Sequence, residues 1–275
     1  MLPAGLDPAS IDAVAMDLDG TVLDHTFRPS PRMAAAVARC EALGIHCVIA
    51  TGRMFIAARR VAHEIGVTQP VVCYQGAMVG DPTTGEILSH RPVPTELARE
   101  ILDELGDDAR KTNLYLDDEL YVWEENAETL RYKHTAGVEM HVVGDLARWI
   151  SQPTTKIVTV GEPAEMDALR DRLQPLFGER AFVAKSLPIF LEFAAPGVNK
   201  ATGLEVIADR TGIAPDRWAA IGDAENDLEM LDWAGAGIAM GNADAAVKAR
   251  AGYTIGDVED GGVPAFLDAL ADARR

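Results

Sequence analysis

The chain has no apolar run near 20 residues, so no stretch of it reads as a membrane-spanning helix. Its start, Met1-Leu2-Pro3-Ala4-Gly5, lacks the basic and apolar regions of a secretory leader. Cysteine is scarce. Cys40, Cys47 and Cys73 are odd in number, show no Cys-x-x-Cys spacing and lie in apolar surroundings. Buried thiols in a reducing cytoplasm are the expectation. Positive charge is short as well: 25 Lys and Arg face 43 Asp and Glu, a net charge of −18. That balance argues against nucleic acid and anionic membranes as partners. It also repels phosphate, so a phosphate site must draw positive charge from a metal, a lysine or a helix N-terminus. No Walker-type Gly-Lys-Ser/Thr, no His-Glu-x-x-His and no Gly-x-Ser-x-Gly occurs.

What is present is a chain of 275 residues, 48% hydrophobic and 25% charged, which fits one large or two modest globular domains. Its most informative stretch runs from Ile11 to Thr21. A short apolar run ends abruptly in Asp17-Leu18-Asp19-Gly20-Thr21. The run reads as a buried parallel strand. Two carboxylates at the end of such a strand need a cation, donors or water. Gly20 and Thr21 open a turn whose N–H groups can face an anion. The pattern suits magnesium and phosphoryl transfer, although Asp and Gly are also ordinary turn residues after a strand.

The first third alternates strand and helix. A helix is expected from Ser30 to Gly44, with Ser30 as cap and Pro31 in the first turn. Ile45 to Ala50 is a second strand, residues 54 to 65 a second helix stopped by Gly66, and Val71 to Tyr74 a third strand. Ala77 to Val93 reads as a hairpin. The last third resumes with a helix from Lys200 to Thr211, a strand from Trp218 to Ile221, and helices at 225–234, 243–251 and 263–273. Asn242 is expected to open the second of these. Short turns between alternating elements predict a Rossmann-like, doubly wound parallel sheet. The middle differs: Leu114 to Trp123 is a hairpin, 163–177 an amphipathic helix, and Lys156 to Val160 and Ala181 to Ala184 are strands. The fold class expected is α/β, with a discontinuous core at 1–93 and 191–275 and an inserted α+β cap domain at 94–190.

Four strand or helix ends carry polar groups suited to phosphoryl transfer: Asp17 with Asp19, Thr51-Gly52-Arg53, Lys200, and Gly222-Asp223 with Asn226-Asp227. In this order, with the insertion between the second and third, the chain resembles the haloacid dehalogenase-like phosphatases, specifically their Cof-like sugar-phosphatase group. The resemblance covers nearly the whole chain. It implies an Mg²⁺-dependent phosphoric monoester hydrolase acting on a small phosphorylated metabolite, a sugar phosphate or similar ester. In that reading Asp17 is the nucleophile and Asp19 the acid and base. Thr51, Gly52, Lys200 and Asn226 hold phosphate. Asp17, the Asp19 backbone carbonyl, Asp223 and Asp227 hold the metal or its hydration shell. Relatives carry Asn-Gly-Ala where this chain has Gln75-Gly76-Ala77, so Gln75 either touches substrate or holds a loop through its backbone. Arg53 is a further substrate candidate. In the inserted segment, Arg131 and Lys133 either read the substrate or pair with Glu124, Glu125 and Glu128 on an exposed helix face. A phosphomutase of the same fold and a non-catalytic metabolite-binding relative are the alternatives. A dehalogenase is disfavoured, because it needs no acid at Asp19. The oligomeric state is not legible.

Overall fold

The structure, a computed structural model, describes residues 2–136 and 138–275, leaving aside the side chains of 131, 132, 134–136, 186 and 187. The chain divides into two compact units, 1–89 with 199–275, and 90–198.

The first unit begins with β1 (Ala13–Met16), α1 (Met33–Glu41), β2 (His46–Ile49), α2 (Phe55–Ile65), β3 (Val71–Cys73), β4 (Met78–Gly80) and β5 (Ile87–His90). The second unit runs α3 (Thr95–Leu105), β6 (Thr112–Leu116), β7 (Glu119–Val122), α4 (Ala127–Ala136), β8 (Met140–Val142), α5 (Leu146–Trp149), β9 (Lys156–Val160), α6 (Pro163–Phe177), β10 (Phe182–Leu187) and β11 (Phe190–Ala194). The chain then returns to the first unit through α7 (Lys200–Thr211), β12 (Trp218–Gly222), α8 (Leu228–Trp233), β13 (Ala236–Ala239), α9 (Ala245–Arg250), β14 (Tyr253–Thr254) and α10 (Gly262–Ala273).

In the first unit a parallel sheet has the order β14-β13-β12-β1-β2. β1 lies between β12 and β2, with Ala15 opposite both Ala220 and Val48. All four β1 residues are buried, as a strand covered on both faces requires. The sheet continues from Ala50 to Val72 by a parallel bridge. α1 is tied to α10 by ion pairs from Arg32 and Arg39 to Asp268 and from Arg39 to Asp272.

The second unit is α+β. Its sheet has the order β10-β11-β9-β6-β7-β8 and is antiparallel except for β7 with β8. The apolar faces of α3 (Leu97, Ile101) and α6 (Leu169, Leu173) share a core with Leu114, Ile157 and Phe193. β11 pairs with β9 and β10, which keeps residues 191–198 in this unit rather than in the first. The hairpin of β6 and β7 turns at Asp117 and Asp118, both with positive φ, a conformation Asp tolerates better than most residues.

Two helix starts differ from expectation. α1 begins at Met33, not Ser30, because the Ser30 carbonyl accepts from Met33 N–H in a preceding turn. α9 begins after Asp244. Asn242 instead uses its amide to join the Gly20 carbonyl and Val258 N–H, at 2.8 and 3.0 Å.

Candidate active site

Three neighbouring strands deliver polar groups at one edge of the sheet. Asp17 follows β1, Thr51 follows β2 and its bridge residue Ala50, and Asp223 follows β12. The strand order reverses at β1, the place where open α/β sheets leave a crevice. Lys200 is the first residue of α7, whose N-cap is Asn199. The Asn199 Oδ1 accepts from Thr202 N–H at 2.9 Å, and Thr202 Oγ1 accepts from Asn199 N–H at 3.2 Å. This reciprocal cap fixes where the lysine leaves the backbone.

Lys200 is fully buried, and its Nζ donates to Asp17 Oδ1 at 2.5 Å and to Asp227 Oδ1 at 2.6 Å. Burial alone would push the ammonium pKa down, but Asp17 and Asp227 outweigh it and hold the group above its ordinary value. Burial also pushes Asp17 up, against the pull of Lys200 and together with Asp227 and Asp19. Asp227 uses its second oxygen on the N–H groups of Asp223 and Ala224, at 2.9 and 3.0 Å. An added Cβ at Gly222 would collide with the Asp227 side chain, so glycine is what lets this carboxylate close on the turn.

Asp223 accepts from Thr21 Oγ1 at 3.1 Å. Burial, then the neighbouring Asp227, raises its pKa to about 6. Gly20 has φ +80°, and a Cβ there would run into the Asp223 carboxylate. Its carbonyl is the one that Asn242 holds. Asp17, Asp223 and Asp227 each offer an oxygen within 4.8 Å of the others, the arrangement of a cation site. Asp17 and Asp223 each retain an oxygen outside the hydrogen bonds described. Asp227 has both oxygens in hydrogen bonds, one to Lys200 and one to the Asp223 and Ala224 N–H groups.

Asp19 has a different environment. Its side chain is 46% exposed and is gripped by Arg53, with Nε to Oδ2 at 2.8 Å and Nη2 to Oδ1 at 2.5 Å. Thr51, 1% exposed, accepts from Arg53 N–H on its Oγ1 at 3.2 Å. Gln75 Oε1 accepts from Asn226 Nδ2 at 3.2 Å, and its side chain lies so close to Gly52 that a Cβ there would clash. Gln75 itself sits at φ +59°. Thus Gln75, Asn226 and Gly52 form one group, while Asp17, Lys200, Asp223 and Asp227 form another. Lys133 belongs to α4 in the second unit and pairs with Glu139 at 3.1 Å, not with the glutamates expected. The side chain of Arg131 lies outside the described residues. Thr21 was expected only as part of the turn after β1 and Asn242 only as a helix opener; the contacts they make, to Asp223 and to the Gly20 carbonyl, were not foreseen from the sequence.

A family model for haloacid dehalogenase-like hydrolase matches residues 14–267. The chain is 30% identical over 261 residues to the 5-amino-6-(5-phospho-D-ribitylamino)uracil phosphatase of Bacillus subtilis, covering 92% of this chain and 95% of that one. It is 28% identical over 276 residues to the pyridoxal phosphate phosphatase of Escherichia coli, covering 92% and 96%. A crystal structure from Thermotoga maritima superposes with a TM-score of 0.84 at 27% identity, over 94% of this chain and 97% of that one.

Proposed function

The chain belongs to the haloacid dehalogenase-like hydrolases, as an enzyme of their Cof-like phosphatase group, and we propose that it hydrolyses phosphomonoesters of small metabolites by way of a phosphorylated Asp17. The observation that carries this reading is the Lys200 ammonium buried between Asp17 and Asp227. In a chain of net charge −18 it is a fixed positive charge beside a carboxylate at a strand end. The reading divides the work between the units, with the chemistry in the first and the inserted second unit as the cap domain.

Asp17 attacks phosphorus through a carboxylate oxygen, and the bond to the ester oxygen breaks. Asp19, as the general acid, gives a proton to the departing alkoxide. Asp19 then takes a proton from water, whose oxygen attacks the phosphorus of the aspartyl phosphate. Inorganic phosphate leaves and Asp17 is restored. Lys200 and the Thr51 hydroxyl stabilise charge on the transferring oxygens, with Gly52 and Asn226 shaping the phosphate seat. Asp227 positions Lys200.

The donor set fits a hard divalent cation: oxygens of Asp17, Asp223 and Asp227 lie within 4.8 Å of one another, and burial with the neighbouring Asp227 raises Asp223 to about 6. Asp17, Asp223 and the Asp19 carbonyl would hold Mg²⁺, and Asp227 would stand behind them. When bound, the ion supplies Lewis-acid neutralisation of phosphoryl charge. Three buried thiols suit a reducing compartment, and the cytoplasm is the proposed location.

The experiment is phosphate release from a panel of phosphorylated metabolites with Mg²⁺, paired with borohydride reduction during turnover. Homoserine at position 17 is expected. Release of phosphate without it overturns the covalent route, and an isomerised ester without free phosphate makes the protein a mutase.

A further inference from the structure

Phe27 stands in the loop between β1 and α1 and is 53% exposed. Its φ is +59°, a left-handed conformation that glycine or asparagine adopts with less strain. The loop around it is pinned by Asp24. One oxygen of that carboxylate accepts from Thr26 N–H at 2.8 Å, Thr26 Oγ1 at 2.6 Å and Arg28 N–H at 3.1 Å. The Asp24 carbonyl accepts from Phe27 N–H at 2.9 Å, and Asp24 N–H donates to the Arg28 carbonyl at 3.0 Å. A bulky ring is therefore held outward, in a strained conformation, by a tightly bonded turn. Core packing does not account for a side chain more than half exposed.

The ring has one charged neighbour that matters here. The Arg53 guanidinium carbon lies 5.5 Å from its centroid, and the same guanidinium grips Asp19. Asp19 already fixes Arg53 at two atoms, so the ring is not needed to place the arginine. One side chain thus connects the acid–base carboxylate to an exposed aromatic face. Both the guanidinium plane and the phenyl face are surfaces on which a flat π system stacks.

We propose that Phe27 and Arg53 form a stacking platform for the leaving group, and that the substrates are phosphate esters of alcohols carrying a planar, electron-rich ring. This rests on the phosphatase reading: the ester oxygen protonated by Asp19 must lie at that carboxylate. A ring one carbon further on then falls against Arg53 and Phe27. A saturated ring of the same size fills the space without a π face to offer.

The test uses binding, so that it stands apart from turnover. 2-Phenylethylphosphonate and 2-cyclohexylethylphosphonate carry a C–P bond in place of the ester and differ only in aromaticity. Each is titrated by calorimetry into the full-length protein in Mg²⁺. The wild type is expected to prefer the phenyl compound about tenfold, within the range of base stacking on aromatic side chains. Phe27→Leu, which keeps apolar bulk, should bring the ratio of the two Kd values near one, and Phe27→Trp should keep it. Equal binding by the wild type, binding of neither, or a preference that survives Phe27→Leu overturns the platform. Benzyl phosphate is assayed in parallel. No phosphate release beside an intact phenyl preference refutes the hydrolase reading and supports the platform; release without the preference does the reverse.

Discussion

At the scale of single residues, the site is a balance of buried charge. Lys200 sits fully buried between two carboxylates, so removing it leaves Asp17 and Asp227 facing each other. Lys200→Met should destabilise the protein by about 3–5 kcal/mol in urea unfolding, the cost of breaking a buried ion pair from one side. A change below about 1 kcal/mol would mean that the carboxylates take up protons or water instead. Asp19 is different, being half exposed and outside the buried cluster. Asp19→Asn should lower kcat by about 10²–10⁴-fold with little loss of stability, because the group lost is a proton donor and not a structural charge. Metal dependence separates two further residues. Asp223→Ala should raise the Mg²⁺ needed for half-maximal activity more than Lys200→Ala does, in a titration of activity against metal; the reverse order would exchange their roles. The residues of this cluster were legible in the sequence because the chemistry dictates their type. Two carboxylates ending an apolar strand and a lysine opening a helix have few other uses in combination. The grip of Arg53 on Asp19 was not legible, since a 34-residue separation says nothing about which nitrogen meets which oxygen. Nor was Phe27, whose significance lies in exposure and backbone conformation.

At the scale of elements, what places Lys200 is the start of α7. Asn199→Ala removes the cap and should cost about 1 kcal/mol, with a fall in kcat because the lysine loses its fixed origin. Thermal unfolding and kinetics together check it: a stability loss with full kcat would show that the two carboxylates alone hold the ammonium. The N-terminal entry to β1 is held by Asp12, whose carboxylate bonds Arg217, before β12, and Arg274, after α10. Arg217 is the main cause that holds the Asp12 carboxyl below its ordinary range, against a burial that opposes it, with Arg274 adding to the effect. A depressed carboxylate stabilises the fold above its unfolded pKa, and that stability is lost as pH falls through the folded one. Asp12→Asn should therefore cost up to about 1 kcal/mol at pH 7, and the difference from wild type should shrink as pH falls below the unfolded carboxylate's ordinary value. A difference that stays constant with pH would exclude the ion pair as its source. Element type was readable along the first and last thirds, where the pattern of buried strands and Gly stops is strong; Gly66 ends α2 as expected, and Gly212 ends α7 in the same left-handed conformation. Starts were less readable. Asn242 has the composition of a cap, but an amide has two ends, and partners at Gly20 and Val258 satisfy both at once. Such long-range competition leaves no mark on local sequence.

At the scale of the whole molecule, the acidic surplus shapes how an anionic ester arrives. Lys200 acts only at contact, whereas the net charge acts at a Debye length, which is about 30 Å at 0.01 M salt and about 8 Å at 0.15 M. Raising salt across that range should increase kcat/KM for a doubly charged ester, because the long-range term is repulsive. A decrease would show that local positive charge dominates the approach. The change of rhythm along the sequence sets the expected insertion at 94–190, and the structure groups 90–198 as one unit. Residues 191–198 look no different from a core strand until β11 is seen to complete the second sheet. That interruption also bears on synthesis. β1 needs β12 on one side and β2 on the other, yet β12 is encoded about 200 residues later. At the usual 5–20 residues per second, the ribosome holds an apolar strand with one bare edge for roughly 10–40 s. The inserted segment is translated within that interval. The newborn protein thus spends that interval with a fully buried, apolar strand unpaired on one edge, and helpers that shield nascent chains would act on it there.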